Sequence, residues 1–248
     1  MVRRIVGWTV LLALAAAVSA YAGERPEPKG VVELFTSQGC SSCPAADRAM
    51  SYLVKQPDVV ALAYHVDYWN YRGWTDTMAS PENTARQYGY AHTLKRSGVY
   101  TPQAILNGRE QSKGTDADVL NRRLDDMKSA GKGLVVSVQA EKNGDELAIS
   151  IGEGRGKADV VVVYFKHRKD VEIGKGTNSG TKVSNWNSVT DVQTVGMWHG
   201  QPMRIVLPAK VMDRTGNDGC AILLQTSGPE GQPSAILGAT LLTANDNS

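Results

Sequence analysis

Apolar and polar positions change their rhythm twice along the chain. An almost unbroken apolar run covers residues 5–18. From Val31 to about Ala130 short apolar runs alternate with segments whose apolar positions recur every three or four residues. From Leu134 onward the runs are short, closely spaced and separated by Gly, Asn, Asp and Lys. The middle stretch predicts alternating strands and helices. "VVELF" (31–35) has the density of a buried strand, and after the turn "TSQG" the positions Ala46, Met50 and Leu53 predict a helix that Pro44 confines to start at its own turn. "DVVALAYHV" (58–66) predicts a second strand, and Ser80-Pro81-Glu82 open a second helix. "YTPQAILNGRE" (100–110) predicts a third strand ending in an Asn-Gly turn, and Thr115 or Asp116 caps a last helix that closes on glycine. The final stretch predicts strands at "LVVSVQA", "ELAISIGE", "ADVVVVYF", "MRIVLPA" and "CAILLQT". The fold expected is an α/β N-terminal domain over 23–131, then, past Gly131-Lys132-Gly133, an all-β domain over 134–248, an antiparallel sandwich or barrel.

The leading run changes the setting. Arg3 and Arg4 precede it and Ala20-Tyr21-Ala22 follows, the layout of a signal peptide over 1–22 cleaved before Gly23. The expected location is periplasmic or secreted, and no later run is long enough to predict a membrane span after the signal is removed. Losing the two arginines brings 27 basic residues level with 25 acidic ones. A neutral mature chain argues against nucleic acid as a partner, because phosphate binding needs a basic surplus.

An oxidising compartment gives weight to "FTSQGCSSCPAAD", where Cys40 and Cys43 stand three apart at the junction of strand and helix. A thiol at a helix N-terminus is favoured as thiolate, the attacking species in disulfide exchange. The same spacing also suits a metal clip for copper or zinc, or a structural disulfide in a redox-inactive binding module. The four histidines (65, 92, 167 and 199) show no paired spacing that would complete a closed metal site, so no metal ligands and no cofactor are assigned.

Just beyond the second strand, "YHVDYWNYRGW" (64–74) holds five of the sixteen aromatic residues. A loop at the C-terminal edge of a parallel sheet is where α/β folds place ligand contacts, so Tyr68, Trp69, Tyr71 and Trp74 are candidates to line a substrate groove beside Cys40. Packing against the C-terminal half is the alternative. His65 and Asp67 alternate along the strand end, with His65 a candidate to tune the thiol. Residues 172–200, rich in Gly, Asn, Thr and Ser, read as a long hairpin or binding loop. Cys220 opens an apolar strand and is expected to be a buried thiol outside the Cys40–Cys43 bridge.

Strand, CxxC, helix, strand, helix, then a proline-led strand and a final helix resemble the thioredoxin-like superfamily over roughly residues 29–130. Within it, "VELFTSQGCSSCPAAD", "YHVDYWNYRGW" and "VYTPQAILNG" resemble the secreted family catalogued as domain of unknown function 1223. The resemblance implies that Cys40 is the nucleophile and Cys43 the resolving thiol. It implies that Thr101-Pro102 occupies a cis-proline position beside the sulfurs, and that Glu33 lies near the buried carboxylate that assists proton transfer. It makes the expected activity thiol–disulfide exchange with a protein or a small thiol or disulfide. Ser41-Ser42 between the cysteines and Gly39 in place of the superfamily's tryptophan are departures that leave reductant, oxidant and isomerase open.

Overall fold

Two strands covered on both faces come first among the elements of a computed structural model that describes residues 26–209 and 216–243; the signal peptide expected at 1–22 lies outside the described residues. β1 (Gly30–Thr36) and β2 (Val59–His65) are buried at every position, which explains why their sequences read as continuous apolar runs without alternation. They pair in parallel, from Gly30 opposite Val59 to Thr36 opposite His65, and α1 (Cys43–Leu53) makes the crossover, with Pro44 in its first turn. α2 (Pro81–Thr93) starts where the Ser80 hydroxyl accepts the Asn83 N–H at 3.2 Å. β3 (Gln103–Leu106) runs antiparallel to β1. It turns through Asn107 and Gly108, both at positive φ, into β4 (Glu110–Lys113). α3 (Ala117–Ser129) is capped by Asp116 and released at Gly131, whose φ of 71° suits the residue just past a helix end.

The second half is extended throughout its described elements. β5 (Val138–Asn143), β6 (Glu146–Ile151) and β9 (Met203–Pro208) form a three-stranded antiparallel sheet. β7 (Ala158–Glu172) and β8 (Lys182–Trp198) form a long hairpin, and β10 (Gly219–Ser227) and β11 (Pro233–Thr243) extend its sheet beyond β7. Most of the segment that reads as a long hairpin or binding loop is therefore strand, with its loop confined to 173–181.

The expected fold class, an α/β thioredoxin-like N-terminal domain followed by an all-β sandwich or barrel, is corrected by the sheet. Strands from both halves belong to a single mixed eight-stranded sheet, ordered β11-β10-β7-β8-β2-β1-β3-β4, in a chain that is mostly β. The joint is the parallel contact of β2 with β8, where Ala63 faces Ser188 and the Asn187 side chain donates to the Ala61 carbonyl at 2.8 Å. An open edge on β2 would present unpaired backbone groups, and β8 meets part of it through this bridge and the Asn187 side chain. Apolar burial gives the same answer. One core contains Val31 and Phe35 of β1, Leu62 and Tyr64 of β2, Tyr90 of α2, and Val163, Leu223 and Ile236 from β7, β10 and β11. On the opposite sheet face, α1 and α3 cover the β1–β3 end, and β5-β6-β9 covers the β7-β10-β11 end. Local periodicity carries no information about pairing between strands more than a hundred residues apart.

Candidate functional site

Cys40 and Cys43 form a disulfide across the entry of α1, with Cα atoms 5.4 Å apart. Cys43 is wholly buried and Cys40 is 1% exposed, whereas Ser41 and Ser42 between them are exposed. The turn that delivers the pair, Ser37 to Cys40, is held on several sides. The Gln38 N–H donates to the Asp76 carboxylate at 2.7 Å, and the Gln38 side-chain oxygen accepts Trp74 Nε1 at 2.9 Å and the Thr77 N–H at 3.2 Å. From the tip of the β7–β8 hairpin, Asn178 Nδ2 donates to the carbonyls of Gln38 at 2.8 Å and Cys40 at 2.9 Å. A side chain at Gly39 would place its Cβ 3.3 Å from both the Cβ and the carbonyl of Trp69, a tight approach that glycine avoids.

The loop carrying Thr101 and Pro102 comes to the same place. The Thr101–Pro102 bond is cis, Trp69 Nε1 donates to Thr101 Oγ1 at 2.7 Å, and the Ser42 hydroxyl reaches Thr101 O at 3.5 Å. Of the aromatic candidates, Trp69 and Trp74 flank the turn through these bonds. Tyr68 lies behind, its hydroxyl donating to Gln87 at 3.1 Å, and Tyr71 projects into solvent with Arg72 beside it. The Arg72 guanidinium also stands 4.8 Å over the Trp69 ring.

Glu33 is elsewhere. Alternation along β1 puts it on the α2 face with Val31 and Phe35, whereas Val32 and Leu34 face α1. There it is buried in an ion pair with Arg86 at 2.8 Å and accepts the Tyr90 hydroxyl. Gln225 of β10 completes the network, accepting from Arg86 at 2.8 Å and donating to Tyr90 at 2.7 Å. The Glu33 carboxylate is thus committed across the sheet from the disulfide.

A different buried carboxylate lies on the α1 side. Asp47 follows Cys43 by four residues, so the two share one helix face. It accepts the Thr36 hydroxyl at 3.0 Å, and burial pushes its carboxyl up to about 6, against the pull of His65 and Thr36. His65, at the end of β2, holds Asp76 at 2.8 Å through Nδ1, with its Nε2 3.4 Å from Ser188 Oγ. Burial disfavours the His65 cation, but the Asp76 charge and hydrogen bond, with Asp47 behind, outweigh it and hold His65 above its usual value. Asp76 is likewise penalised by burial, yet His65 and the N–H groups of Gln38 and Met78 keep it below the ordinary carboxylate value. Among the described residues no three of His, Cys, Asp and Glu converge on a possible metal position. Cys220 is buried in the core between β10 and β5-β6-β9, where burial pushes its thiol up to about 12.

Sequence reasoning missed Asp47, Asp76 and Asn178. Asp47 left a signal, an acid on the buried stripe formed by Cys43, Ala46, Met50 and Leu53. Asn178 left none, being 138 residues from the carbonyl it holds.

No curated protein matches the sequence. The chain is similar to the X-ray crystal structure of protein AGR_C_4864 from Agrobacterium tumefaciens, at 54% identity and a TM-score of 0.84, over 91% of this chain and 98% of that one. The family model described as "Protein of unknown function (DUF1223)" matches residues 31–225, and the chain accordingly belongs to that family.

Proposed function

We propose that this protein is an exported thiol–disulfide oxidoreductase with a thioredoxin-like site, working through Cys40 and Cys43 on a protein or small-molecule thiol or disulfide. The observation that carries the reading is a CxxC disulfide at a helix entry with a buried acid, Asp47, one turn further along the same helix, its carboxyl pushed up by burial to about 6. A purely structural bridge gains little from spanning so short a loop, since chain-entropy stabilisation of about 2 kcal/mol is at the low end for a disulfide.

In the reduced protein, the Cys40 thiolate attacks one sulfur of a partner disulfide. A bond forms between Cys40 and the partner, and the other partner sulfur leaves as a thiolate. Cys43 then passes its proton to the Asp47 carboxylate and attacks Cys40 Sγ. This closes the Cys40–Cys43 disulfide and releases the second partner sulfur as a thiolate. Two electrons have moved from the cysteine pair to the partner, and a dithiol partner drives the same exchanges in reverse. The helix N-terminus favours the Cys40 thiolate, and the aromatic loop with Thr101 and Pro102 supplies the neighbouring surface for the partner.

The test is exchange activity. The mature chain is expected to catalyse insulin reduction or disulfide isomerisation, Cys40→Ser to abolish it, and Cys43→Ser to accumulate a mixed disulfide through Cys40. Wild-type rates no higher than those of Cys40→Ser would overturn the proposal.

A further inference from the structure

Ser42 occupies the N-cap of α1, where a serine ordinarily accepts a hydrogen bond from a backbone N–H of the first turn. Here it makes no such bond, and its backbone is in the right-handed helical region (φ −93°, ψ −10°) rather than the extended conformation that capping requires. The N-cap residues of α2 and α3, Ser80 and Asp116, both cap through their side chains. A local rule broken beside reactive groups points to a use for the group that breaks it.

The Ser42 hydroxyl faces two acceptors, Cys40 Sγ and Thr101 O, each at 3.5 Å. A disulfide sulfur carries no hydrogen, so the hydroxyl is the donor to it. For an oxygen acceptor 3.5 Å is a long reach, but for the larger sulfur atom it is a normal one. With one hydrogen, the hydroxyl serves one acceptor at a time. A disulfide sulfur is a weak neutral acceptor, whereas a thiolate is charged, and charge-assisted bonds are roughly twice as strong as neutral ones.

We infer that Ser42 is a catalytic residue of the exchange reaction, its hydroxyl donating a hydrogen bond to the Cys40 thiolate and so stabilising the reduced protein. The inference rests on the proposed exchange chemistry and adds a group that tunes it. Reduction turns the neutral disulfide sulfur into a charged acceptor, which strengthens the hydroxyl's bond to Cys40 and weakens its long contact with the Thr101 carbonyl, so the oxidation state of Cys40 reaches the loop beside it. The other charged groups around this turn are Asp76 on the Gln38 N–H with His65 behind it, Asp47 on α1, and Arg72 over Trp69. Substitution at Ser42 leaves all of them in place.

The experiment follows alkylation of Cys40 against pH in the reduced full chain by peptide mapping, together with the reduction potential at a pH above the alkylation midpoints. Ser42→Ala is expected to raise the Cys40 midpoint by about one unit. A tenfold weaker thiolate makes the potential more negative by about 30 mV. Ser42→Thr, which keeps the hydroxyl, and Ser41→Ala, one residue earlier on the exposed turn, are expected to follow wild type in both. A low wild-type midpoint unchanged in Ser42→Ala would overturn the role of Ser42 and leave exchange chemistry standing. A wild-type midpoint no lower than about 8.5, that of an ordinary cysteine, would overturn both.

Discussion

At the scale of single residues, Asp47 links chemistry to stability through its proton. In the unfolded chain it titrates near 3.8, and folding raises it to about 6. Between these values the folded state keeps a proton that the unfolded state has lost, so stability falls as pH rises from about 4 to about 6, by about 3 kcal/mol. His65 acts with the same sign higher up. Held above 6.5, it contributes stability that is complete below its unfolded value and is lost as pH rises through its folded one. Asp76 acts oppositely, stabilising above 3.8 and losing that contribution as pH falls through its lowered folded value. Asp47→Asn keeps an acceptor for Thr36 and removes the charge. It is expected to match wild type near pH 4 and to exceed it at pH 7 by about 1–3 kcal/mol, the attraction to His65 being lost in exchange. Urea midpoints across pH measure this, and a variant that parallels wild type at every pH would remove the carboxyl from the account. The same variant is expected to accumulate mixed disulfide, because Cys43 loses its proton acceptor. The acid was legible in the sequence as an interruption of an apolar helix stripe. Its elevated titration was not, since that depends on burial by neighbours from other strands.

At the scale of elements, the β7–β8 hairpin matters most to the site, because its tip brings Asn178 onto the turn that carries Cys40. Asn178→Ala removes two donated bonds and leaves the Gln38 and Cys40 carbonyls without that partner, which costs about 1–3 kcal/mol. The variant is expected to show a lower urea midpoint at unchanged slope and faster reduction of the Cys40–Cys43 disulfide by dithiothreitol. Reduction at the wild-type rate would mean that the tip does not restrict the sulfurs. Strands and helices flanking the disulfide were readable because their signals are local: continuous apolar runs for β1 and β2, Pro44 for the entry of α1, Ser80 and Asp116 for the other helix starts. β8 was hidden. Its sequence, "KVSNWNSVTDVQTVGMW", is polar and mixed because part of it is exposed hairpin and part covers β2, so no single period runs through it.

At the scale of the whole molecule, the halves share a core and a buried polar network, in which Glu33 and Arg86 from the N-terminal half meet Gln225 from β10. Arg86→Met leaves the Glu33 charge buried without its partner and is expected to cost about 3–5 kcal/mol, whereas Glu33→Gln combined with Arg86→Met costs less than the two separate losses added together. Unfolding is expected to be one transition, with coincident curves by far-UV circular dichroism and tryptophan fluorescence, since Trp69 and Trp74 report one half and Trp186 and Trp198 the other. Two separated transitions would show that the halves fold independently despite the common sheet.

What the sequence determined by itself is short-range: a cysteine pair three residues apart at a strand–helix junction, a proline that starts the helix, a proline-led strand, and the apolar content of most strands. Each depends on backbone geometry within a few residues, which composition and spacing report directly. Tertiary structure alone decided that β8 lies beside β2, that Glu33 faces α2 rather than the disulfide, and that Asp76 and Asn178 hold the turn that carries Cys40. Those outcomes follow from satisfying edge hydrogen bonds and burying apolar faces between segments as distant in sequence as β1 and β11, and nothing in a local window records which distant face will cover it.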